Sequence, residues 1–308
     1  MRLRSTHIIE RWPAVVGVVA LFAALPVLTL GPGTDLDTGA VIQSGRSIMD
    51  GDYLASRAPG APVHEAAVGF LEAIGGTTLT NVGSLVMAVA LVVGLVVLLR
   101  GEGVPHAELA AAFVVANPWF QVAATSTVDF VWAMGFAVLG FVALRRDRPI
   151  VAGVLFGLGV GCRMTTAVVV AAALAAQLLD RGERSVARRR AALVSAVVTA
   201  IIGVVLFLPP FFAAGSSLAF ANNDFETSTP LNHLGRALAK DLYFFGPYAA
   251  IGLLLAAPAV LRSVRRSWGE SWALRAAVVG IVATQVLYLR FPWKMGHLIP
   301  TLVFVAML

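Results

Sequence analysis

Long apolar runs separated by short polar segments dominate this chain. A helix that crosses a hydrocarbon core of about 30 Å needs about 20 mostly apolar residues, and ten runs approach that length. They lie near residues 13–30, 82–99, 107–124, 128–144, 149–162, 164–180, 191–213, 245–261, 272–289 and 295–308. The third with the fourth, and the fifth with the sixth, are predicted tight hairpins. The pattern predicts an all-α polytopic membrane protein with about ten transmembrane helices and a single domain over residues 1–308.

Composition supports a lipid environment for these helices. Hydrophobic residues make up 58% of the 308 residues and charged residues only 13%, whereas a soluble domain has about 25% charged residues. The net charge of +6 comes from basic clusters between apolar runs, which is typical of membrane loops, so we expect no nucleic-acid partner. Cys162 is the only cysteine, and this excludes a disulfide within the chain.

The distribution of Lys and Arg predicts the orientation. The first apolar run is longer than a signal-peptide core and has no clear cleavage site, so we expect a retained first helix. With the N-terminus in the cytoplasm, 16 of the 23 basic residues fall on the cytoplasmic side, as the positive-inside rule requires. We therefore expect a multi-pass protein of the plasma membrane. The last run reaches Leu308 without a charged stop, which leaves open whether a helix is truncated there.

Two long segments lie on the predicted outer side, at residues 31–81 and 214–244. Within the first, residues 38–50 place apolar side chains at helical spacing, Gly51-Asp52 is a turn signal, and residues 65–74 form a second short apolar helix. Two amphipathic juxtamembrane helices are therefore predicted in the first outer loop.

Several charged residues of the outer side are candidates for binding an anion. Arg163 follows a glycine-rich apolar run, and Arg290, Lys294 and His297 cluster near the C-terminus. A guanidinium binds phosphate in a bidentate manner. Interfacial anchoring and contacts with lipid headgroups remain equally open for these cations, and Asp129 is either a helix cap or a functional acid.

A series of short motifs resembles one family of membrane enzymes. An acid after the first helix precedes Gly-Arg-x-Ile-x-x-Gly-Asp-Tyr from Gly45, then Arg-x-Pro-Gly-x-Pro from Arg57 and a Gly-Gly pair; Asn117-Pro118, Asp129 and Gly-Leu-x-x-Gly-x-Arg ending at Arg163 follow. Their order and sidedness resemble the GT-C superfamily of membrane glycosyltransferases, especially protein mannosyltransferases and aminoarabinose transferases of lipid A. The resemblance covers residues 13–180 and, loosely, 290–300.

The resemblance implies an activity and roles for individual residues. Such enzymes move a sugar from a polyprenyl-phosphate-linked donor at the outer face, with an acid of the first outer loop as general base. Asp37 matches that acid and Asp35 is its rival, although Thr38 stands where many relatives have a second acid, and a capping role for Asp37 stays open. The acceptor, whether glycan, lipid or protein, stays open as well. The candidate substrate-binding residues are Arg57, Glu65, Asp129, Arg163, Arg290, Lys294 and His297.

No cofactor is expected. Asp35-Leu36-Asp37 resembles a DxD metal motif, but two acids alone make a weak metal site, so a metal-free reaction is favoured. A transporter or lipid flippase is the main alternative function. Many transporters contain two similar halves, and the chain shows no convincing internal repeat. A non-catalytic membrane scaffold is a third hypothesis.

Overall fold

The computed structural model describes residues 17, 19–20, 23–180, 185–215 and 229–308, and the regular structure in these ranges is helical. The all-α fold class is thereby confirmed. Predictions for Arg2, Arg4, Arg11, Arg181, Arg184 and residues 216–228, and for most of the run before residue 23, lie outside the described residues. The helices are α1 (Leu36–Met49), α2 (Pro62–Gly101), α3 (Ala107–Ala116), α4 (Pro118–Ala124), α5 (Phe130–Arg145), α6 (Pro149–Cys162), α7 (Thr166–Leu178), α8 (Ser185–Ala213), α9 (Pro230–Ser267), α10 (Trp272–Arg290) and α11 (Ile299–Ala306), with 3-10 turns at Leu25–Thr29 and Met295–Leu298.

The multi-pass character is clear, but the count of ten spans is not confirmed. Among the described residues, α2, α8, α9 and α10 are long and apolar enough to cross a membrane. Helices α3 and α4 would together supply a fifth span, although they meet at a bend of 78°. The bend has a local cause, because the Asn117 side chain accepts hydrogen bonds from the N–H groups of Trp119 and Phe120 and so starts a new helix at Pro118. Helices α5, α6 and α7 are apolar but shorter.

Both predicted juxtamembrane helices are present in the first outer loop. Helix α1 is the first, and the beginning of α2 is the second, ending where Gly75 and Gly76 depart from helical geometry. The two helices cross in direct backbone contact, since a Cβ added to Gly69 would lie 2.3 Å from the carbonyl oxygen of Gly45. This close crossing fixes the position of α1 against α2, and with it the position of the residues at the start of α1.

Part of the second outer segment is helical rather than a loop. Helix α9 begins at Pro230, and Gly246, with φ of 74°, separates its first four turns from the remainder. Leu231 and Leu238 on this first part are exposed, whereas Arg236 lies over the Trp293 ring at 4.7 Å. The segment is therefore an amphipathic helix. Prediction by span length missed it because its apolar side chains are interrupted every few residues by charged ones.

The two ends of the helix bundle have different polar networks. Helices α5 and α6 run in opposite directions, so that Asp129 and Arg163 share one end and Arg145 and Arg148 the other. At the second end the buried Asp180 carboxylate accepts from Arg188 at 2.5 Å. The first end is called the site end below.

Candidate active site

A buried acid lies at the centre of the site end. Asp129 directly precedes α5, its side chain is 2% exposed, and its Oδ1 accepts a hydrogen bond of 2.7 Å from Nη1 of Arg163. Its Oδ2 accepts from Arg57 of the first outer loop. Two guanidinium groups contact this buried carboxylate directly, and both favour its ionised form. Asp129 is thus an ionised anchor for two arginines.

The two acids at the start of α1 have different tasks. Asp35 is the N-cap, because its Oδ1 accepts from the backbone N–H of Asp37 at 2.9 Å. Asp37 lies two residues further on, within the first turn of α1, and its Oδ2 accepts from Lys294 Nζ at 2.7 Å and Arg57 Nη1 at 3.0 Å. Lys294 also contacts Asp35 Oδ1 at 2.6 Å. The capping role that the sequence left open for Asp37 therefore belongs to Asp35.

His297 extends the cluster on the side of Arg163. Its Nε2 lies 2.7 Å from Nη2 of Arg163, and since a guanidinium only donates, Nε2 is the acceptor and the imidazole is neutral. The Arg163 guanidinium also stacks over the Phe130 ring at 4.2 Å. Arg163 is thereby held by an acid, an imidazole and an aromatic face at once.

These groups face a common cavity of about 250 Å³. Its charged and imidazole side chains are those of Asp37, Arg57, Arg163, Lys294 and His297. A second cavity of about 340 Å³ lies on the other side of Lys294 and contains Asp35, Lys240, Trp119 and Ser126. Lys294 and Trp293 line both cavities. Asp35 and Asp37 thus belong to different cavities, although only one residue separates them.

Two of the residues predicted from the sequence lie outside this cluster of contacting charged groups. Arg290 is exposed at the end of α10, with its guanidinium 5.1 Å from the Phe291 ring. Glu65 is fully buried and accepts hydrogen bonds from Tyr53 and Ser56. The remaining predicted residues, namely Asp35, Asp37, Arg57, Asp129, Arg163, Lys294 and His297, are brought together.

A buried polar network, which the sequence analysis did not identify, supports the two acidic segments. The Asn81 side chain in α2 donates to the carbonyl oxygens of Leu28 (3.0 Å) and Gly31 (2.8 Å) and accepts from Thr127 at 3.0 Å. The Thr127 N–H in turn donates to Pro32. The chain before Asp35 is therefore tied to the chain before Asp129. The sequence did contain a signal for this network, namely Asn81, a polar amide at the start of an otherwise apolar run.

Within the described residues, no group of three His, Cys, Asp or Glu side chains has an arrangement suited to a metal ion. Both of the DxD-like acids form an ion pair with Lys294. The preference for a metal-free reaction stays a prediction.

The chain combines an all-helical fold that contains membrane-length helices with a cluster of paired acids and arginines at one end of the bundle. The model of glycosyltransferase family 87 matches residues 60–289, and the chain belongs to this family. Among solved structures, the chain is similar to ArnT from Cupriavidus metallidurans in the apo state, with a TM-score of 0.70 and 17% identity over 96% of this chain and 58% of that one. No curated protein matches the chain.

At this level of identity the structural similarity shows the fold alone, and the chain spans little more than half the length of ArnT. The resemblance to membrane glycosyltransferases predicted from the sequence is confirmed in both family and fold. Membership in this family also argues against the two alternative hypotheses, a transporter or lipid flippase and a non-catalytic membrane scaffold.

Proposed function

We propose that this protein transfers a sugar from a polyprenyl-phosphate-linked donor to an acceptor hydroxyl, with Asp37 as the general base. The observation that carries the proposal is the shared cavity. One carboxylate that is 30% exposed faces the same space as two arginines, a lysine and a neutral histidine. A proton acceptor and a set of anion-binding groups are the two requirements of this reaction.

The reaction balances with these residues. The bond between the sugar's anomeric carbon and the phosphate oxygen breaks, and its electron pair leaves with the polyprenyl phosphate. A bond forms between the same carbon and the acceptor oxygen, and the acceptor's proton passes to Asp37. A positioned general base typically contributes about 10²–10⁴-fold.

Arg57, Arg163, Lys294 and His297 are the proposed phosphate ligands. Arg57 and Lys294 contact Asp37 directly, so a phosphate held by them lies beside the base. Asp129 orients the two arginines without lining the cavity. Asp35 is the weaker candidate for the base, because its Oδ1 is occupied by Lys294 and by the helix cap and it faces the second cavity. The contacts of Glu65 and Arg290 do not support direct substrate binding.

We further propose that the site end faces the outside of the plasma membrane and that the N-terminus is cytoplasmic. The support is the excess of Lys and Arg in the loops predicted for the opposite side. A lipid-linked donor reaches such a site from the bilayer. The acceptor is a glycan, lipid or protein hydroxyl.

The decisive experiment measures sugar transfer in proteoliposomes that contain labelled polyprenyl-phosphate sugars. Asp37→Asn is expected to lower turnover by about 10²–10⁴-fold, the usual contribution of a general base. Asp50→Asn is the matched control, because Asp50 is an exposed acid at the other end of the same helix. Full activity of Asp37→Asn together with loss of activity in Asp35→Asn would assign the base to Asp35.

Sidedness has its own test. Cys162 is fully buried, so a cysteine introduced at the exposed Asp50 is expected to be the main target of an impermeant maleimide added to intact cells. Labelling only after the membrane is opened would place the first loop in the cytoplasm and refute the outer-face mechanism.

A further inference from the structure

Glu65 is fully buried, and its carboxyl group contacts a single loop of the first outer segment. The side chain lies in the first turn of α2 and is 0% exposed. Its Oε1 accepts from the N–H of Ser56 at 2.9 Å and from the Ser56 hydroxyl at 2.5 Å. Its Oε2 accepts from the Tyr53 hydroxyl, and burial together with Glu65 raises the pKa of that phenol, which therefore remains a donor.

The loop held in this way carries a central cation of the site. Arg57 follows Ser56 directly and extends its guanidinium between Asp37 and Asp129. The next three residues, 58–60, form part of the cavity wall. Gly60 has φ of 96°, and a Cβ there would lie 2.6 Å from the Tyr53 hydroxyl oxygen. The packing between this loop and its anchor is therefore tight.

We infer that Glu65 is a positioning residue: its carboxyl group holds the loop so that Arg57 reaches both Asp37 and Asp129, and it does not touch substrate. The inference depends on the proposed function only in the experiments that measure sugar transfer. A misplacement of about 1 Å at a reacting centre costs on the order of 100-fold in rate. Removal of this anchor is expected to act on that scale.

The test is a double-mutant cycle on kcat/KM in proteoliposomes. Glu65→Ala is expected to lower kcat/KM on the order of 100-fold in the unaltered protein, but less than about threefold further in an Arg57→Lys background, because both changes act on the same guanidinium. Glu65→Gln keeps an acceptor for Ser56 and offers Tyr53 an amide, so its loss should stay within about tenfold. Glu72→Gln is the matched control, since Glu72 lies on the same helix and pairs with the exposed Arg46 instead.

Three outcomes would each overturn the inference. The first is an equal loss from Glu65→Ala in both backgrounds, and the second is full activity of Glu65→Ala. The third is a Glu65→Gln variant as impaired as Glu65→Ala. Should Glu65→Ala fail to fold, Ser56→Ala, which removes one of the three hydrogen bonds, replaces it in the same cycle.

A measurement without turnover separates this inference from the proposed function. A cysteine replacing Ala58, in the cavity wall, is labelled with a maleimide against the low background of buried Cys162. Glu65→Ala should accelerate labelling, while Glu72→Gln should leave its rate unchanged. Faster labelling in a protein whose unaltered form transfers no sugar would refute the proposed function and preserve the positioning role. An unchanged labelling rate would refute the positioning role itself.

Discussion

Replacement of Asp129 by asparagine tests whether ion pairing at the site end stabilises the fold. The carboxylate is 2% exposed and accepts from two arginines that are themselves only 13% (Arg163) and 24% (Arg57) exposed. Removal of one partner from a buried ion pair costs about 3–5 kcal/mol, because the remaining charge stays buried without compensation. Since Arg57 keeps Asp37 as a partner, the uncompensated charge is mainly that of Arg163. We therefore expect a cost of about 3 kcal/mol.

Thermal unfolding of the purified protein in detergent measures this cost. At an unfolding entropy of about 2.1 cal/mol/K per residue, about 3 kcal/mol lowers the Tm of a 308-residue chain by roughly 5 °C. Glu72→Gln, which breaks the exposed pair with Arg46, should give no resolvable shift. The double variant Asp129→Asn with Arg163→Gln should recover more than half of the loss, because it removes the unpaired charge. A double variant as unstable as Asp129→Asn alone would refute the electrostatic explanation.

Three further predictions concern the crossing of α1 and α2, the hydrogen-bond network around Asn81, and the metal-free reaction. Gly69→Ala should cost about 1–3 kcal/mol in thermal unfolding because its Cβ meets the backbone of Gly45, whereas Gly39→Ala, with open space around the new Cβ, should be neutral or stabilising. Asn81→Leu should cost about 2–6 kcal/mol in the same assay, since two carbonyl oxygens lose their donor. Sugar transfer should be unchanged by a chelator of divalent cations; an activity that disappears and returns with added metal would contradict the metal-free reaction.

Periodicity and turn residues were sufficient to predict the elements of the first outer loop. The apolar side chains of residues 38–50 and 65–74 repeat at helical spacing, and the intervening glycines and prolines leave few other conformations. The sequence also placed Asp129 and Arg163 on the same side of the membrane, although it did not predict their ion pair. A hairpin of two short apolar helices brings the start of the first and the end of the second to the same side of the membrane.

The partners of individual side chains did not follow from the sequence, because hydropathy gives the depth of a residue but not its rotation about the helix axis. Arg290 and Lys294 have the same sign and nearly the same depth. Helix α10 ends at Arg290 and leaves this side chain exposed, whereas the non-helical turn after Phe291 directs Lys294 towards Asp35, 259 positions away. The bend at Asn117 was missed for a related reason. An apolar run has the same composition whether or not a cap divides it.

The alternation of charge at the site end bears on product release under the proposed function. Lys294, Asp37, Arg57, Asp129 and Arg163 form a series in which each acid lies between two cations. The donor is a phosphodiester with about one negative charge, whereas the product, a phosphomonoester, carries about 1.5–2. A purely cationic site would therefore bind the product more tightly than the donor and slow its release. The acids reduce that preference, and the cations remain close enough to stabilise the charge that develops as the bond to phosphate breaks.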